Sequence, residues 1–150
     1  FSGRGLSSNK TLWASYMIES PSATIYIGGD GGYGPHFKEI GHNFTNIDWA
    51  ILENGQYNND WKYIHTMPSQ LEQVAKDLKA NNIVTVHHSK YALSNHPWDE
   101  PTKTAAALKE KGYMNVAIPK IGEILQLKSS NKSKQVQNDS INSSETQEKS

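Results

Sequence analysis

The sequence predicts a layered α/β domain, on three observations. Strand-like and helix-like stretches alternate in the order β-β-α-β-α-β-α-β. Leu71, Val74, Ala75 and Leu78 repeat at the i, i+3, i+4, i+7 spacing of a helix with one buried face. Residues 83–86, Ile-Val-Thr-Val, form the short unbroken run of a strand covered on both faces.

Taken in order, residues 11–18 are rich in β-formers and predict a first strand, and Glu19-Ser20-Pro21-Ser22 a turn. Residues 24–28 predict a second strand that makes a hairpin with the first. Gly28-Gly29-Asp30-Gly31-Gly32 then places one carboxylate among four glycines. A short helix is expected over 35–44, with Pro35 near its start and Phe37, Ile40 and Phe44 at helical spacing. Residues 47–52 predict a third strand and 55–63 a polar, aromatic loop. A helix follows over 68–80, with Ser69 or Pro68 suited to its first turn and its Lys and Glu side chains facing solvent. After the strand at 83–86 come a helix over 102–111, stopped by Gly112, and a last strand over 121–127. From Lys128 to Ser150 the chain is Ser, Asn, Lys, Gln and Glu with almost no apolar residue, and is expected to be a disordered tail.

Composition narrows the function. The 150 residues hold 15 basic and 15 acidic side chains, a formal charge of +0, which argues against binding a nucleic-acid backbone. Cysteine is absent, so thiolate metal sites and disulfides are excluded and any metal must be held by His, Asp or Glu. No apolar run of about 18 residues exists to form a transmembrane helix. A cytoplasmic location is the expectation.

In α/β sheets, chemistry collects just beyond the carboxyl ends of strands. Asp30 follows one predicted strand and His87 another. Asp30 can point into a cleft, or can cap a turn. His87 and His88 alternate across the strand axis, so only one of them faces Asp30. A strand-end histidine is either a metal ligand or a hydrogen-bonded core residue. His65, at the end of a loop, suits substrate binding or proton transfer, against the plainer reading of a surface histidine. His36, His42 and His96 receive no role. Trp13, Trp49, Trp61 and Trp98 read as packing residues, although Trp61 and Tyr63 flank His65.

Several motifs in their order resemble the metallo-β-lactamase superfamily, in particular the branch of N-acylphosphatidylethanolamine-hydrolysing phospholipase D. They are Ser2-Gly3-Arg4-Gly5-Leu6 with Asn9 to Ser15, Tyr26 to Pro35 around Gly29-Asp30, Phe37 to Gly41, His65-Thr66-Met67-Pro68, Val86 to Tyr91, and Glu100-Pro101. The resemblance covers about residues 2–127 and implies the C-terminal half of a four-layer αββα domain, incomplete as it stands. It implies zinc, two ions per complete domain, with Asp30 bridging them and His87 completing the second site. The other ligands then fall upstream of Phe1. Asp30 and His65 become the expected catalytic residues, His65 beside the metal and not bound to it. The implied function is part of a zinc-dependent hydrolase that cleaves a phosphodiester, acting on a small or lipid-like substrate through water activated by the metal. A lactonase or esterase of the same superfamily is one alternative, and a half-domain that acts only by association is another. The sequence departs from the branch at Gly31, His88, Ser89-Lys90 and Leu52 to Tyr57, where Leu52-Glu53-Asn54-Gly55-Gln56-Tyr57 replaces an apolar segment.

Overall fold

Ser20 folds the first turn. Its hydroxyl accepts the Ala23 amide at 3.0 Å and donates to the Ala23 carbonyl at 2.9 Å. The chain therefore returns, and β1 (Tyr16–Glu19) pairs antiparallel with β2 (Thr24–Ile27). The computed structural model describes residues 14–91, 94–112 and 114–129. Trp13, the segments 2–6 and 9–13, and all but the first two residues of the 128–150 tail lie outside them.

From β2 onward every strand is added parallel and in sequence. The chain runs through α1 (His36–Asn43), β3 (Trp49–Glu53), α2 (Leu71–Leu78), β4 (Asn82–Val86), α3 (Glu100–Glu110) and β5 (Asn115–Ala117), giving the sheet order β1-β2-β3-β4-β5. Right-handed crossovers that always step in the same direction put all three helices on one face. The register agrees: Met17, Tyr26, Ala50, Ile83 and Val116 lie in line across the sheet. That row packs with Phe37 of α1, the Leu71, Val74, Ala75 and Leu78 face of α2, and Ala105 and Leu108 of α3. Each Leu or Val buried there contributes about 1.5–3 kcal/mol.

Helices α1 and α2 cross at Gly41. A Cβ there would stand 2.0 Å from the Asp77 carbonyl oxygen, so the close approach needs glycine. The second sheet face is barer. Tyr16 is 63% and Ile18 47% exposed, and Ile25, Ile27 and Ile51 are only partly covered. Over this face Trp49 is buried, and its indole N–H donates to the Lys128 carbonyl at 2.9 Å.

The expected order of elements stands, with one strand moved. Residues 121–127 form a turn followed by irregular chain, because Gly122 takes a φ of 84° and the apolar residues before and after it, Ile121 and Ile124, point to solvent. The last strand is instead Asn115–Ala117, where Val116 is fully buried beside Ile83. Three residues are too few to carry a period. Helix α2 begins three residues later than expected, after a turn in which Gln70 Oε1 accepts the Met67 amide, and neither Pro68 nor Ser69 caps it. Among the described residues no helix is long and apolar enough to cross a membrane.

Candidate metal centre

Strands β2, β3 and β4 run parallel, so their carboxyl ends share one edge of the sheet. The loops that follow carry the site.

Glu53 is the last residue of β3. By alternation it continues the row of Trp49 and Ile51, and the loop before α2 folds over it. Its side chain is 2% exposed. One carboxylate oxygen accepts the Thr66 amide, and the other is 2.7 Å from His65 Nδ1. His65 is 13% exposed, and its ring stacks on His87 with centroids 5.5 Å apart. Glu53, His65 and His87 each offer a donor atom, all within 4.8 Å of one another. Burial pushes the Glu53 carboxyl above the usual carboxylate range, and the bonds from His65 and Thr66, with the charge of His87, hold it back. The hydrogen bond to Glu53 raises His65; desolvation opposes this, and the charges of Glu53 and Asp30 add to it. At this distance one proton lies in the bond between the Glu53 oxygen and His65 Nδ1.

His87 begins the turn after β4. Both His87 (φ 66°) and Ser89 (φ 67°) take the left-handed conformation that non-glycine residues rarely adopt. His88, half-buried between them, holds this turn. Its Nε2 is hydrogen-bonded to Thr85 Oγ1 at 3.1 Å and its Nδ1 to Ser89 Oγ at 2.7 Å. Burial lowers the His88 pKa. His87, not His88, is thus the ring beside His65. Close packing at the neighbouring strand end supports the arrangement. The Asn54 amide donates to the Val86 carbonyl at 3.0 Å, and a Cβ on Gly55 would stand 2.4 Å from the His87 carbonyl oxygen.

The segment after β3 is a buried polar hub. Asn54 Nδ2 donates to the Pro101 carbonyl at 2.7 Å, the Gln56 amide to His96 Nε2 at 3.1 Å, and the Tyr57 hydroxyl to Glu100 at 2.8 Å. This is the stretch that departs from the apolar pattern of the resembling branch. The Gln56 side chain also donates to the Tyr91 carbonyl at 2.9 Å, while Asn54 Oδ1 is buried without a hydrogen-bond partner among the described residues.

Asp30 lies outside the three-residue group. It is exposed, and lines a cleft of about 300 Å³ with His36 and Tyr63, whereas His87 lines one of about 290 Å³ with Gln56, Lys90 and Tyr91. His65 links the two, stacked on His87 and within electrostatic reach of Asp30. A cleft of about 350 Å³ between α2 and α3 contains none of these residues. Sequence reasoning brought out Asp30, His65 and His87 and passed over Glu53. The strand-end rule that selected Asp30 and His87 applies equally to Glu53. The donor set, imidazole and carboxylate without thiolate, fits a divalent metal such as zinc.

A family described as "Beta-lactamase superfamily domain" matches residues 1–88. The chain is 56% identical over 87 residues to outer membrane protein RomA of Klebsiella pneumoniae, covering 58% of this chain and 66% of that protein. It is 33% identical over 118 residues to the mitochondrial N-acyl-phosphatidylethanolamine-hydrolyzing phospholipase D of Saccharomyces cerevisiae, covering 75% of this chain and 25% of that one. In three dimensions it is similar to Igni18, a metallo hydrolase from Ignicoccus hospitalis, with a TM-score of 0.60 at 19% identity over 79% of this chain and 47% of that one. The chain thus spans only part of the relatives it matches. With the parallel strand ends, the histidine and carboxylate cluster and the matched family in agreement, the chain belongs to the metallo-β-lactamase superfamily, of whose fold it carries a part.

Proposed function

We propose that this chain supplies the C-terminal part of a zinc-dependent hydrolase that cleaves a phosphodiester in a small or lipid-like substrate. The observation that carries the reading is the convergence of His65, from the loop before α2, on Glu53 and His87 at the carboxyl ends of β3 and β4. The likeness to the yeast phospholipase D favours a phosphodiester over a carboxylic ester.

In this reading Asp30 and His87 hold the metal, and His65 stands beside it. When bound, zinc would polarise the scissile group and make water a nucleophile near neutral pH. His65, fixed through Nδ1, has Nε2 left to orient the substrate or, when the ring is the doubly protonated cation, to give its Nε2 proton to the leaving oxygen. The turn held by His88 keeps the His87 ring in place. A catalytic zinc normally takes three protein ligands and a water, and Asp30 with His87 supplies two residues. In this reading further donors come from the part of the longer relatives that this chain does not span. The bare sheet face around Tyr16, Ile18 and Ile27 suits packing against that part. The absence of cysteine is compatible with a cytosolic and with an exterior location alike.

The test compares this chain with one extended upstream to carry the remaining donors. Each is assayed with added zinc, and with chelator, on bis(p-nitrophenyl) phosphate and p-nitrophenyl acetate. The expected result is zinc-dependent cleavage of the phosphodiester by the extended chain and little by the 150-residue chain. Cleavage of the ester alone favours a lactonase or esterase. An extended chain that binds no zinc and hydrolyses neither substrate overturns the proposal in favour of a half-domain acting by association. Equal turnover by both chains means that the centre is complete in this segment.

A further inference from the structure

Glu53 and His65 can meet in two ways, as ligands of one metal or as partners in a hydrogen bond, and distance separates them. Two donors bound to one tetrahedral zinc at about 2.0–2.1 Å stand about 3.3 Å apart. Glu53 Oε2 and His65 Nδ1 are 2.7 Å apart, the length of a hydrogen bond between them. The other oxygen of Glu53 already accepts the Thr66 amide. Thr66 in turn donates its hydroxyl to the Gly31 carbonyl at 3.1 Å, next to Asp30. One buried carboxylate thereby holds His65 directly and is joined to the Asp30 loop through Thr66.

We propose that Glu53 is a positioning residue and not a metal ligand: it holds His65 in the Nδ1–H tautomer and leaves Nε2 as the working nitrogen beside His87. The use of Nε2 rests on the hydrolase reading above. The hydrogen bond and the tautomer do not. A histidine oriented by a carboxylate on its far nitrogen is a common arrangement at metal centres, and removing the carboxylate typically costs about 10–100-fold in activity or metal affinity. The geometry here assigns the loss to turnover.

The first measurement is the ¹⁵N imidazole spectrum of the protein above neutral pH, without zinc or substrate. His65 is expected to be protonated on Nδ1 and bare on Nε2, and Glu53→Gln to abolish that preference. The second is zinc content and kinetics of Glu53→Gln, His65→Ala and the double variant in the extended chain, with bis(p-nitrophenyl) phosphate as substrate. Zinc per chain should be unchanged, kcat should fall about 10–100-fold with KM little altered, and the double variant should be no worse than His65→Ala. Loss of one zinc equivalent in Glu53→Gln would make Glu53 a ligand and overturn the proposal. So would a wild-type His65 carrying its proton on Nε2. If the wild-type chain shows neither zinc binding nor hydrolysis, the functional reading fails, and the tautomer still decides the role of Glu53.

Discussion

Two neighbouring strands, β2 and β3, each deliver a carboxylate to the same edge of the sheet, under opposite conditions. Asp30 comes three residues after β2, exposed on a glycine-rich loop. Glu53 ends β3 itself, 2% exposed, with one oxygen on the Thr66 amide and the other against His65. Burying a carboxylate is costly unless it is hydrogen-bonded, and each oxygen of Glu53 is already engaged in one such bond. Asp30, in water, keeps its capacity for a cation. On the proposed reading, burial sorts the two carboxylates, exposed Asp30 to the ligand role and buried Glu53 to the positioning role.

The sharpest way to break this contrast is Asp30→Ala in the extended chain. Metal-dependent hydrolysis should disappear and zinc content fall, because Asp30, as the expected bridge, is lost from both metals at once. An Asp30→Ala protein that keeps its zinc, measured by atomic emission, would remove Asp30 from the coordination sphere and leave the two carboxylates alike.

A smaller effect is expected from the glycines on the same two loops. Gly55→Ala drives a methyl group against the His87 carbonyl oxygen and the His88 Cβ, and should destabilise the fold by about 1–3 kcal/mol in urea titration. Gly31→Ala meets no atom within 4 Å and should change stability by no more than about 0.5 kcal/mol. Equal losses at the two positions would show that the end of β3 is no more tightly built than the loop after β2.

The same contrast explains what was legible in the sequence. Helix α2 was plain because Leu71, Val74, Ala75 and Leu78 repeat with its period and all four are buried. The order of strands and helices followed from such patterns, and the family from its motifs. β5 was not legible, since Asn115–Ala117 owes its place to Val116 pairing beside Ile83 and to no local period. Asp30 stood out because glycines isolate it. Glu53 did not, because it closes an apolar strand and its partner is twelve residues further on. Only the folded chain brings His65 back over it. The Leu52 to Tyr57 segment looked like a departure from an apolar pattern, and its reason lies in partners on α3 and the loop before it: Pro101, Glu100 and His96.

The most direct test of the account is anomalous diffraction at the zinc edge from crystals of the extended chain grown with zinc. The account predicts anomalous peaks within bonding distance of Asp30 and His87, with His65 Nδ1 still on Glu53 and no zinc on the Glu53 carboxylate. A zinc ion bound jointly by Glu53 and His65, with Asp30 left in solvent, would contradict it.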